Sequence, residues 1–88
     1  MKISKEKIDK ISEQILAYLY STNPIPHFTS HIAKEVARDE EFIKSILKDL
    51  KKKGFVIEIK KNPKGIPYLK RSRWKLSLKT FEAYKDFY

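Results

Sequence analysis

The chain of 88 residues contains no cysteine, which excludes disulfides and thiolate metal sites and leaves its core to hold without a staple. Glycine occurs only twice and proline four times, and neither falls inside a periodic stretch. With 41% hydrophobic and 35% charged residues, disorder is disfavoured as the default state. No apolar run approaches the length of a membrane span. The amino terminus, "MKISKEKIDKISEQ", is too polar for a secretory signal, so the expected location is the cytoplasm. Acids are scarce in one half only. Residues 1–43 hold seven against six basic side chains, whereas residues 44–88 hold four against fourteen.

What is present fits one small domain over residues 1–88, with a single modest core and little room for a catalytic cavity. The net charge of +9 resides in the second half, which is expected to face a polyanion, either nucleic acid or an anionic membrane surface. A membrane is the weaker option, because the basic residues do not lie opposite a strongly apolar helix face.

Ser4 is placed to cap a helix over about 4–21, with Ile8, Ile11, Ile15, Leu16 and Leu19 at helical spacing until "STNP" stops it. "NPIPHF" reads as an extended connector. Thr29 or Ser30 can cap a second helix over about 30–37 that turns Ile32, Ala33 and Val36 inward. Asp39 caps a third over about 40–53, with Ile43, Ile46, Leu47 and Leu50 as its stripe and Gly54 as its left-handed end. Residues 55–76 alternate as a hairpin with its tip between Asn62 and Pro67. Pairing Ile57 with Trp74 puts Phe55, Ile57 and Ile59 on the inner face, Glu58 opposite Arg73, and Lys60 opposite Arg71. A final helix over about 78–87 carries Phe81, Tyr84 and Phe87 on one face.

The stretch "HIAKEVARDEEFIKSILKDLKKKGFV", followed about twenty residues later by "RWKLS", resembles the winged-helix form of the helix-turn-helix. It is similar to small bacterial and archaeal repressors of the antibiotic-resistance and arsenical-resistance types. The resemblance implies an α+β fold: a three-helix core with a helix-turn-helix, a β-hairpin wing and a short carboxy-terminal helix. It implies duplex-DNA binding and transcription regulation, with the third helix reading sequence. The chain departs from the pattern at Ala37, where glycine is usual, at Arg38, where an apolar residue is usual, and at Glu40 and Glu41, where small polar residues are usual.

The outward face of the third helix offers Lys44, Ser45, Lys48 and Lys52 to a major groove. The hairpin offers Lys60, Lys61, Lys64, Lys70, Arg71 and Arg73 to backbone phosphates or a minor groove, a sequence-blind contribution to affinity. Thr29, Ser30 and His31 at the start of the second helix are candidate phosphate donors, although Thr29 serves equally as a plain cap. Arg38 can reach a phosphate or pair with a neighbouring acid. Glu40 and Glu41 complement the helix dipole; Glu41 facing cytosine N4 is the less favoured alternative.

Phe81, Tyr84 and Phe87 pack either on the core or across a homodimer seam. His27 and His31 have no third ligand nearby, and no nucleophile motif or phosphate loop occurs, so neither a metal site, a cofactor, a small-molecule ligand nor an enzymatic activity is expected. The competing expectation is an interaction module that binds protein or structured RNA in the manner of small ribosomal winged-helix proteins.

Overall fold

Three helices begin with a side chain that accepts from a backbone amide of the first turn, which supplies one of the partners every helix start lacks. Ser4 accepts from the Lys7 amide at 3.3 Å, Asp39 from Phe42 at 3.1 Å and Ser77 from Thr80 at 3.2 Å. In the computed structural model, which describes residues 4–87, these caps open α1 (Lys5–Thr22), α3 (Glu40–Lys52) and α4 (Leu78–Lys85). Between them lie β1 (His27–Phe28), α2 (Thr29–Glu35), β2 (Val56–Ile59) and β3 (Arg73–Leu76). The strands form one antiparallel sheet in the order β1-β3-β2.

The core lies where the helical stripes meet the inner face of the sheet. It comprises Ile11, Ile15, Leu16 and Leu19 of α1, Ile32 and Ala33 of α2, Ile43, Ile46, Leu47 and Leu50 of α3, and Val56, Trp74 and Leu76 of the sheet. Trp74, fully buried, is the largest of these side chains. Among the described residues no helix is long and apolar enough to cross a membrane.

The helix α2 ends earlier than its apolar spacing indicates, at Glu35 rather than about residue 37. Ala37 turns left-handed at φ 56°, its amide bonds the Lys34 carbonyl, and the Arg38 amide bonds the Ala33 carbonyl. This is the paired 6→1 and 5→2 closure of a Schellman motif. The same closure ends α3, where Gly54 (φ 80°) bonds Lys51 and Phe55 bonds Leu50. A side chain at Gly54 would meet no atom within 4 Å, so the backbone dihedral rather than space favours glycine there.

Three further expectations are corrected. The connector before α2 contains a strand, β1, whose His27 faces Trp74 and whose Phe28 faces Arg73. Neither Thr29 nor Ser30 caps α2. Phe28 occupies the cap position without a side-chain bond, and the Thr29 hydroxyl instead accepts from the Trp74 indole at 2.8 Å.

The hairpin register is shifted by one: Glu58 faces Trp74 and Ile59 faces Arg73. A one-residue slip exchanges the two faces of a strand. Val56 is therefore buried, whereas Phe55 and Ile57 are each 40% exposed. Beyond Ile59, Lys60 bonds the Tyr68 amide rather than pairing with Arg71, and Lys61 bridges Pro67. Residues 69–72 are thus extra on the returning arm and bulge out of the hairpin. Helices α1, α2 and α3, the two-armed wing and the short α4 make this a small α+β winged-helix domain.

Candidate nucleic-acid interface

The bulge determines how the basic side chains divide. At the wing tip, Asn62 accepts from the Lys64 and Ile66 amides through its side chain, both at 2.9 Å, and its own amide bonds the Ile66 carbonyl at 2.8 Å. That closed loop presents Lys60, Lys61 and Lys64, all exposed. Lys70 and Arg71 belong to the bulge and fold back toward α2. The Arg71 guanidinium lies 4.5 Å above the Phe28 ring and 5.7 Å from the Tyr68 ring, and the two rings meet edge to face at 5.2 Å. A cation over an aromatic face is held by the ring quadrupole, so Arg71 is oriented before any ligand arrives.

Lys70, Arg71 and Ser72 form one wall of a cleft of about 300 Å³ whose other walls include Ser30 of α2 and Glu41 and Lys44 of α3. Candidate residues from three separate segments of the chain converge here. Glu40 and Glu41 at the start of α3 line this cleft as well, without an ion pair to Lys70 or Arg71 among the described residues.

On α3, Lys44, Lys48 and Lys52 are exposed, whereas the Ser45 hydroxyl donates to the Phe42 carbonyl at 2.6 Å and is spent on its own helix. Among the described residues, Lys44, Lys52, Lys60, Lys61, Lys64 and Lys70 have no carboxylate within ion-pair distance. Arg73 serves the wing itself: Nη2 donates to the Lys61 carbonyl at 3.0 Å, Cζ lies 5.8 Å from the Tyr68 ring, and Nε is buried.

His31 is not gathered with Thr29 and Ser30. Its ring stands 6.2 Å from Tyr18 of α1 and 4.9 Å from His27, with Glu35 at 3.8 Å. His27 accepts from or donates to the Thr22 hydroxyl at 2.9 Å. Burial, and then the neighbouring His31, lower its pKa below 6.5, partly offset by Glu35. Arg38 is exposed in the turn between α2 and α3. Among the described residues no three metal-ligating side chains gather.

On α4, Phe81 and Tyr84 lie 5.4 and 5.7 Å from Tyr20 of their own chain, while Phe87, two residues past the end of the helix, is 87% exposed.

Four residues at this surface escape a linear reading: Glu58, Ser72, Phe28 and Tyr68. Only Glu58 carries a signal, being the one acid in residues 50–81. A single carboxylate in a basic stretch is a candidate for pairing with several cations at once.

Solved structures share this winged-helix fold. The chain matches Staphylococcus aureus MepR in complex with DNA at 19% identity and TM-score 0.74, over 93% of this chain and 64% of that one. It matches MepR, a transcription regulator of the Staphylococcus aureus multidrug efflux pump MepA, at 20% identity and TM-score 0.67, over 94% and 66%. A double mutant of Lactococcus lactis ZitR in apo form aligns at 17% identity and TM-score 0.72, over 93% and 57%. This chain therefore spans about three fifths of the length of the structures it matches. No protein-family model matches the sequence, and no curated protein does.

Proposed function

We propose that this chain is a regulator that binds duplex DNA, with α3 in the major groove and the basic wing on the flanking backbone. The observation that carries the reading is the convergence of Ser30, Lys44, Lys70 and Arg71 around one cleft beside the exposed lysine face of α3. Phosphates contribute affinity that is blind to sequence, and base edges contribute choice. Lys44 and Lys48, one turn apart, are assigned the base edges; Lys60, Lys61 and Lys64 are assigned phosphates. MepR, whose fold this chain shares, has been solved bound to DNA, which supports the same partner here.

A single recognition helix spans only a few base pairs, so the reading includes a homodimer that addresses two half-sites about one helical turn apart. The exposed Phe87 end of α4 is the proposed seam. Selection of bound duplexes from a random pool tests both parts. Enrichment of a two-fold symmetric site is expected, and Lys44→Ala should change preference at particular positions while non-specific affinity falls much less. No enrichment, with equal or tighter binding to a folded RNA, would overturn the assignment in favour of an RNA-binding module.

A further inference from the structure

Glu58 lies on the inner face of β2 with its side chain only 3% exposed. Ser72 of the bulge donates to Oε2 at 2.6 Å, Lys51 of α3 donates to Oε1 at 2.9 Å, and the Lys48 ammonium stands 3.9 Å from Oε2. One carboxylate thus joins the wing strand, the bulge and the second half of α3. Burial alone would raise its pKa, but the hydrogen bonds from Ser72 and Lys51 and the charges of Lys48 and Lys51 outweigh it and hold the carboxyl below its ordinary value of 4.5. It is an anion at neutral pH.

The two lysines it binds remain 46% and 47% exposed, so they stay on the surface of the helix assigned to the major groove. A phosphate approaching either ammonium meets the charge of Glu58 as well. A lysine engaged by the carboxylate neutralises a phosphate less readily, and a phosphate left unneutralised keeps its condensed counterion, so such a lysine adds little to the salt slope. Lys44 and Lys52 on the same helix have no such partner among the described residues. Lys48 is held near the carboxylate by charge alone, at 3.9 Å and without a hydrogen bond to it, so its N–H groups remain free to donate to a base edge.

Resting on the DNA-binding reading above, we propose that Glu58 is a specificity-determining residue, which withholds Lys48 and Lys51 from sequence-blind phosphate attraction and so leaves the donors of Lys48 to base edges. Glu58→Gln tests it, since glutamine keeps the size and removes the charge: its one carbonyl oxygen can accept from Lys51, and its NH2 can donate to the Ser72 hydroxyl, which rotates to accept. Binding is measured across salt concentrations for the selected duplex and for a random one. Releasing two lysines should steepen the salt slope on the random duplex by up to about 1.8, and the preference for the selected duplex should fall by about tenfold. In a Lys51→Met background the same change should steepen it by no more than about 0.9. Lys51→Met alone, which leaves Glu58 intact should Glu58→Gln fail to fold, should leave the slope unchanged.

A strut with no electrostatic role would lower the melting temperature and leave slope and preference as they were. That result overturns the proposal, as does a loss of about 0.9 in slope from Lys51→Met alone. A wild-type chain that binds duplex with ordinary salt dependence while Glu58→Gln matches it overturns only the role of Glu58. A wild-type chain that binds no duplex overturns the DNA reading together with it.

Discussion

Ala37 and Gly54 occupy the same position in the same motif: each is the left-handed residue that closes a helix, at φ 56° after α2 and φ 80° after α3. An L-residue in that region costs roughly 1–2 kcal/mol, and glycine avoids most of it at the expense of about 0.4–1 kcal/mol of unfolded-state entropy. Ala37→Gly is therefore expected to stabilise the fold by about 0.5–1 kcal/mol, and Gly54→Ala to destabilise it by a similar amount. Chemical denaturation of the two variants beside wild type measures both signs.

The Trp74 indole has one hydrogen-bond partner, the Thr29 hydroxyl. Thr29→Val keeps the shape and removes the acceptor, leaving a buried N–H unpaired at a cost of about 1–3 kcal/mol. The expected result is a lowered denaturation midpoint with an unchanged slope, and a shift in tryptophan fluorescence from the altered indole environment.

Acid should act first through His27. Its folded pKa lies below the ordinary 6.5, chiefly because of burial and then His31. The folded state thus binds fewer protons than the unfolded chain between the two pKa values. Stability is full above about 6.5 and declines as pH falls toward the folded value, by at most about 1.4 kcal/mol per pH unit for one group. His27→Gln should flatten the melting temperature between pH 7 and 5. A variant as pH-sensitive as wild type would assign the effect to another group.

Lys60, Lys61 and Lys64 are exposed on a tip that Asn62 closes. Changing all three to Ala should weaken binding to every duplex alike and reduce the salt slope by up to about 2.7. The melting temperature should barely move, because none of these side chains belongs to the core. Salt titrations on two unrelated duplexes check that the loss is independent of sequence.

The helices were legible because their signals are local. Ser4, Asp39 and Ser77 each stand one residue before the first residue of a helix, and each caps it through its side chain. The winged-helix arrangement was legible through the resemblance carried by "HIAKEVARDEEFIKSILKDLKKKGFV", whose Ile32, Ala33, Ile43, Leu47 and Leu50 are buried and whose Val36 is half-buried. The sheet was not, for reasons that are tertiary. Two residues of β1 are too few to show a period. In β2, alternation admits two faces equally, and the choice is made by three side chains of other segments, Lys48 and Lys51 of α3 and Ser72 of the bulge, that satisfy Glu58 well enough to draw a carboxylate inward. The bulge at 69–72 depends on the same contacts, so the division of basic residues between tip and cleft could not be read from their order.

The order β1-β3-β2 places the last strand of the chain in the middle of the sheet. Trp74, at the centre of the core, makes its hydrogen bond across 45 residues of sequence. Until β3 arrives, β1 and β2 have no common neighbour, and the inner stripes of α1, α2 and α3 surround a space with nothing to fill it. On a ribosome the helices can form as they emerge, but their packing must wait for residues 73–76 to leave the exit tunnel. Loop closure of this kind is slow, because its entropy is spent before the distant contact repays it. The chain should therefore acquire its tertiary structure in one late step, and a nascent chain halted at Lys70 should remain as sensitive to protease as an unfolded one.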